Sequence, residues 1–230
     1  MRHYRWYPGV VAVFTTTLVI SNIIAVKLVN FLGLSLPAAI ILFPVAYIFG
    51  DILTEVYGYA RARQAIWTGF GCNLLAVAAI WLAGLLPASP LWTAGSYQTP
   101  AEASQAYRAI LGFTPRLLAA SFAAYLVGEF LNSFVLAKLK VATGGRLLWL
   151  RTIASTLVGE GADSLVFITA AFAGILPNTA LAGTILSQWL VKSAYEATAT
   201  PLTYLVVNFL KRAENEDYFD RSTDFNPVKF

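Results

Sequence analysis

The residues with chemistry to offer in this chain are carboxylates set inside apolar runs. Asp51, Glu55, Glu129, Glu160, Asp163 and Glu196 all lie in stretches otherwise built from aliphatic, aromatic and small residues, and Lys27 and Lys192 are the only lysines among them. Each ionisable group at a bilayer centre costs at least ~2.5–3.5 kcal/mol, so such groups face an interior cavity, not lipid. Their spacing gathers them. Tyr47, Asp51 and Glu55 follow i, i+4, i+8 and share one helix face. The same periodicity joins Tyr125, Glu129, Asn132 and Ser133, then Thr156, Glu160, Asp163 and Ser164, then Gln188, Lys192, Tyr195 and Glu196. Ser21 and Asn22 add a polar pair to the first apolar run. Lys192 and Glu196 are placed to neutralise each other along one helix. Lys27 can snorkel to the interface, and Glu55 is near enough to a span end to meet water. The remaining acids are in excess and require a proton, a hydrated cavity, or a cationic or hydrogen-bond-donating ligand. Interhelical hydrogen bonds alone would need only a few Asn or Ser residues; four polar faces on different helices fit a transport pathway better.

These faces must be positioned by membrane helices. The chain of 230 residues is 58% hydrophobic and 12% charged, about half the charge of a soluble domain, with a mean hydropathy of +0.65. The expected fold is all-α, a polytopic bundle of about six spans: 8–31, 36–58, 64–86, 113–137, 152–176 and 181–210. Six spans of ~20–25 residues leave little room for another domain, so residues 1–210 form one transport domain and 211–230 a cytoplasmic tail, lying on it or partly disordered. Pro44 is expected to kink the second span, and Pro201 to kink or end the last. Residues 101–111 suit a short interfacial helix. With six spans, Arg2, Arg5, Arg61, Arg63, Lys138, Lys140, Arg146, Arg151, Lys211 and Arg212 all fall on one side. That places both termini in the cytoplasm, and explains the net charge of +4 without nucleic acid.

Several chemistries are excluded. Cys72 is the only cysteine and His3 the only histidine, which removes intrachain disulfides, thiolate metal clusters and HExxH zinc sites. No GxxxxGK[ST] loop is present, so the chain does not itself hydrolyse ATP. Arg2 and Arg5 precede an apolar run that is too long for a leader and has no small-x-small site after it, so it is expected to be a first span. No cofactor is expected.

Gly50-Asp51-x-x-Thr54 resembles Gly159-Glu160-x-x-Asp163-Ser164, and Asn22 and Asn132 have similar offsets. This suggests a 3+3 inverted repeat, as in many secondary transporters, although Gly128-Glu129-x-x-Asn132-Ser133 matches the same pattern in a different register. Six ordered motifs resemble the queuosine precursor transporter family, also called vitamin uptake-like transporters. They are Phe43-Pro44-x-x-Tyr47 with Asp51-x-x-Thr54-Glu55-x-Tyr57-Gly58 and Ala60-Arg61; Gly112-x-Thr114-Pro115-Arg116; Gly128-Glu129-x-x-Asn132-Ser133; Arg151-Thr152 leading to Gly159-Glu160-x-x-Asp163-Ser164; Lys192-x-x-Tyr195-Glu196; and Thr223-Asp224-Phe225-Asn226-Pro227. The resemblance covers nearly the whole chain. It implies import of 7-deazaguanine bases, preQ0 or preQ1, across a bacterial inner membrane to supply a tRNA modification. A carboxylate can accept two N–H donors from a guanine-like edge; Glu160 or Asp163 would do so, helped by Asn132 and Asn22. Tyr47, Tyr195 or Trp189 would stack on the ring, and Asp51 or Glu129 would carry a coupling proton. The expected partners are thus a flat purine-like base, the bilayer and protons, with a homo-oligomer allowed. Two alternatives are a substrate-binding subunit of an energy-coupling factor importer, docked through Ala79-x-x-x-Ala83, and an intramembrane enzyme. Gly159-Glu160-Gly161-Ala162-Asp163 departs from the Gly-x-Gly-Asp protease signature by an extra alanine.

Overall fold

The computed structural model describes residues 3–31, 34–93, 97–112 and 115–229. Among them are seven α-helices: α1 (Tyr7–Ile24), α2 (Phe43–Tyr57), α3 (Tyr59–Leu85), α4 (Pro100–Leu111), α5 (Pro115–Ala142), α6 (Leu148–Phe172) and α7 (Asn178–Glu214). α1, α3, α6 and the stretch carrying α4 and α5 are long and apolar enough to cross a bilayer, making this a multi-pass membrane protein.

The other two long elements differ for physical reasons. α2 has 15 residues, about 22 Å of helix, and its residues 45–57 contain no exposed position. A helix buried on every side is a core element. Ile52 and Val56 are fully buried among Phe14, Ile66 and Val207, which come from α1, α3 and α7. α7 has 37 residues, roughly 55 Å, well beyond a ~30 Å hydrocarbon layer. Its last turn carries Lys211 and Arg212, and Asn215 stops it in the left-handed conformation (φ 48°), which asparagine tolerates.

Two expectations need correction. The first apolar run is not helical to residue 31: α1 stops at Ile24, and β1 (Leu28–Phe31) pairs antiparallel with β2 (Leu34–Pro37), Leu28 opposite Pro37. Hydropathy records avoidance of water, and a paired hairpin satisfies its backbone polar groups as a helix does. Pro44 does not kink a span but stands in the first turn of α2, where its missing N–H costs nothing. Pro201, expected to kink or end the last span, lies inside α7, which continues to Glu214. The short helix is present as α4, with Thr99 accepting from the Glu102 backbone N–H (3.2 Å) as an N-cap. Tyr107 on α4 donates to the Ile80 carbonyl (3.1 Å), fixing it to α3.

The basic ends gather at one end of the bundle. Glu214 accepts from the backbone N–H groups of Arg5 (3.1 Å) and Trp6 (2.5 Å) at the start of α1, a favourable place for an anion. Tyr4 donates to Glu216 (2.8 Å), so both ends of the chain meet there; Arg2 lies outside the described residues. The tail is an ordered strap. The Tyr59 N–H donates to both oxygens of Asp220 (3.1 Å each), and Arg63 donates to the carbonyls of Asp224 (3.1 Å) and Asn226 (2.7 Å). Trp67 donates to the Pro227 carbonyl (2.7 Å), and Lys138 sits 4.1 Å from the Phe225 ring centroid. Gly58 joins α2 to α3 at φ 83° with Tyr218 packed on it, a conformation and clearance that favour glycine.

Candidate functional site

Three glycine-acid motifs build the centre of the bundle by packing against one another. The alpha carbon of Gly159 lies where a side chain would meet Asn132 Cβ at 2.7 Å and the Gly128 carbonyl at 2.9 Å. α5 and α6 therefore touch backbone to backbone, the small-residue contact that brings membrane helices together. Gly50 makes the same clearance for Glu129, whose Oε2 lies 2.9 Å from the position of an added Cβ. Polar partners complete the joint: Asn132 donates to Asp51 Oδ1 (2.7 Å), and Thr54 donates to Ser133 Oγ (3.0 Å).

This packing sorts the acids into three environments. Glu55 is fully buried, not solvated, and its Oε1 lies 2.8 Å from Arg151 Nη2, 2.6 Å from Lys211 Nζ and 3.6 Å from Lys140 Nζ. Lys140 also donates to Asp217 (2.5 Å) and to the Tyr218 carbonyl (2.8 Å), so this cluster links α2, α5, α6, α7 and the strap at the basic end. Arg151 also donates to the Arg146 carbonyl. Glu160 and Asp163 share Lys192 at 3.0 and 2.5 Å; the expected Lys192–Glu196 pair does not form. Glu196 instead lies beside Asp51 and Thr156. Among the described residues, Asp51, Glu129 and Glu196 make no ion pair.

A cavity of about 630 Å³ occupies the half of the bundle away from the basic end, within the size range of small-molecule sites. Asn22, Tyr47, Glu129, Asp163, Lys192 and Tyr195 line it. Asp51, Asn132, Glu160 and Glu196 lie behind this wall, and Glu55 belongs to the basic end. Trp189, expected as a stacking surface, is not among the lining residues: its indole donates to the Leu157 carbonyl (2.9 Å) and rests on Gly161. Phe167, Ser121, Thr184 and Ser187 also line the cavity. Sequence reasoning misses them, since an isolated phenylalanine or serine in a span looks the same facing lipid or a cavity. Ser21, Tyr125 and Gln188, already grouped with the polar faces, join them. Tyr125 is held by donating to the Ile66 carbonyl (3.0 Å). The walls are thus largely apolar and aromatic, with a few polar groups, an arrangement suited to a flat heterocycle. Arg116 fixes the rim by donating to the carbonyls of Ala170 (2.8 Å) and Ala173 (2.6 Å) at the open C-terminus of α6.

The chain is similar to proteins named as transporters. The chain is 30% identical over 200 residues to the "Probable queuosine precursor transporter" of Bacillus subtilis (strain 168), covering 85% of this chain and 82% of that protein. It is 28% identical over 152 residues to the "Queuosine precursor transporter" of Escherichia coli (strain K12), covering 66% of this chain and 62% of that one. No solved structure gives a significant match. The model of the family described as "Putative vitamin uptake transporter" matches residues 37–206, and the chain belongs to that family.

Proposed function

We propose that the protein imports queuosine precursors, 7-deazaguanine bases such as preQ0 or preQ1, through the cavity between α1, α2, α5, α6 and α7. The carrying observation is a mostly apolar cavity of about 630 Å³ whose wall combines tyrosines with a carboxylate held by a lysine. Tyr47 and Tyr195 offer faces for stacking. Asp163, oriented by Lys192 at 2.5 Å, accepts the paired N–H donors of a guanine-like edge, with Asn22 across the cavity. Asp51 and Glu196, close together behind the wall, form the position for a coupling proton.

The crossings in this reading are α1, α2, α3, α5, α6 and α7. α1–α3 and α5–α7 then run in opposite directions, as an inverted repeat requires. Gly50-Asp51 and Gly159-Glu160 fall on the middle helix of each half, which supports the pairing. With the basic end in the cytoplasm, the cavity lies toward the outside of the cell and the Glu55 cluster beneath it closes the cytoplasmic side.

The test is uptake of labelled preQ0 and preQ1 by bacterial cells lacking both queuosine synthesis and their own importer, with this chain as the only addition. Queuosine in tRNA at low external base is the expected result. Its absence, with the protein present in the membrane, overturns the reading in favour of a chain that needs a partner ATPase or carries another cargo.

A further inference from the structure

The charges around the cavity do not balance. Glu129 and Asp163 line it with Lys192, and Asp51, Glu160 and Glu196 stand behind. That is five carboxyl groups against one cation, and the cation is already shared by Glu160 and Asp163. Glu129 lines the chamber with its Oε2 set against Gly50, and it has no counter-charge among the described residues. It is 1% exposed, its Oε2 has no hydrogen-bond partner, and it makes no ion pair among the described residues. The charged and titratable groups that interact with it are Asp51, Glu160, Asp163 and Glu196, with Tyr125 on its own helix and Tyr47 across on α2, the hydroxyl of which reaches the neighbouring Gly128. None of these supplies a positive charge. A carboxylate so placed is strongly destabilising unless something neutralises it, and the cavity is the side from which a partner can arrive.

We propose that Glu129 is the seat for a cationic arm on the cargo, so that the cavity selects a flat base bearing a primary ammonium over the same base bearing an uncharged group. This rests on the transport reading above and adds a preference to it. The base stacks between Tyr47 and Tyr195, and the ammonium donates charge-assisted hydrogen bonds to Glu129. Discrimination of this kind is large because the uncharged analogue leaves the buried carboxylate unmatched. Lys192 does not compete, since Glu160 and Asp163 hold it on α6.

The experiment compares competitive uptake of the aminomethyl-bearing 7-deazaguanine and its nitrile counterpart by wild type, Glu129→Gln and Glu129→Asp. The expected result is at least a tenfold preference for the amine in wild type, lost in Glu129→Gln and partly kept in Glu129→Asp. Equal uptake of both bases by wild type overturns the proposal while leaving the transport reading intact. So does a proportionate loss of both in Glu129→Gln, which would make Glu129 a proton carrier. If neither base enters, the transport reading fails, and the cation seat is judged on purified protein: benzylamine should raise the melting temperature more than benzyl alcohol does, and Glu129→Gln should erase that difference. No difference in wild type overturns the seat itself.

Discussion

At the residue scale, the decisive feature is how few cations serve the buried acids. Lys192 holds Glu160 and Asp163 at 3.0 and 2.5 Å, with Glu160 almost completely buried. Replacing it by methionine leaves two carboxylates without a counter-charge, and breaking a buried pair from one side costs about 3–5 kcal/mol. Lys192→Met should therefore melt well below wild type in detergent. Adding Glu160→Gln and Asp163→Asn should recover much of the loss, because neutral amides need no counter-charge. A triple variant no more stable than Lys192→Met would show that the lysine acts through packing alone.

Elements meet here through glycine, and the acids follow. The Gly128–Gly159 contact sets the depth at which α5 and α6 cross, and it places Asn132 of α5 directly against α6. A methyl group at residue 159 would meet Asn132 Cβ at 2.7 Å and the Gly128 carbonyl at 2.9 Å. Gly159→Ala should thus cost about 1–3 kcal/mol through overpacking. Gly71→Ala is the matched control, for nothing lies within 4 Å of its added carbon; it should be neutral or slightly stabilising, since alanine favours helix. Thermal unfolding of the two variants measures the contrast. Both glycines sit in apolar helices and look alike in sequence, so only the neighbouring helix separates them.

Across the whole molecule, the strap and the Glu55 cluster close one end while the cavity occupies the other. Asp217 joins the two, at 2.5 Å from Lys140 and 2.8 Å from Lys211. Partial burial opposes its ionisation, but the hydrogen bonds and charges of the two lysines outweigh that and hold its carboxyl below the usual carboxylate range. A depressed folded value means that its contribution to docking is complete above the free-aspartate value and is lost as pH falls through the folded one. Asp220 has the opposite sign, because burial outweighs its hydrogen bonds and raises its carboxyl. Comparison with Asp217→Asn isolates the first effect. Protection of the tail from limited proteolysis should be greater in wild type at neutral pH, and the gap should close as pH drops below about 4. Asp217 is nearly half exposed, so solvent screening keeps the difference modest.

The amino-acid sequence alone determined that these acids cannot face lipid, that the basic residues belong at one end, and that α4 links two sets of long helices. Each follows from local chemistry: the cost of a charge in hydrocarbon, the period of a helix, or the grouping of basic residues at the ends of apolar runs. The family was legible as well, since its motifs are short runs whose order survives without coordinates. What the tertiary structure decided was partnership. Helical spacing places Asp51 and Glu55 on one face, yet one meets Asn132 near the centre while the other meets three cations at the basic end. It also places Lys192 beside Glu196, yet the lysine turns to α6. Trp189, chosen as a ring-stacking residue, turns to Leu157, and Phe167 lines the cavity unannounced. Spacing along one helix defines a face; the rotation and depth of that helix against its neighbours arise from close packing at residues 50, 128 and 159, far apart in sequence.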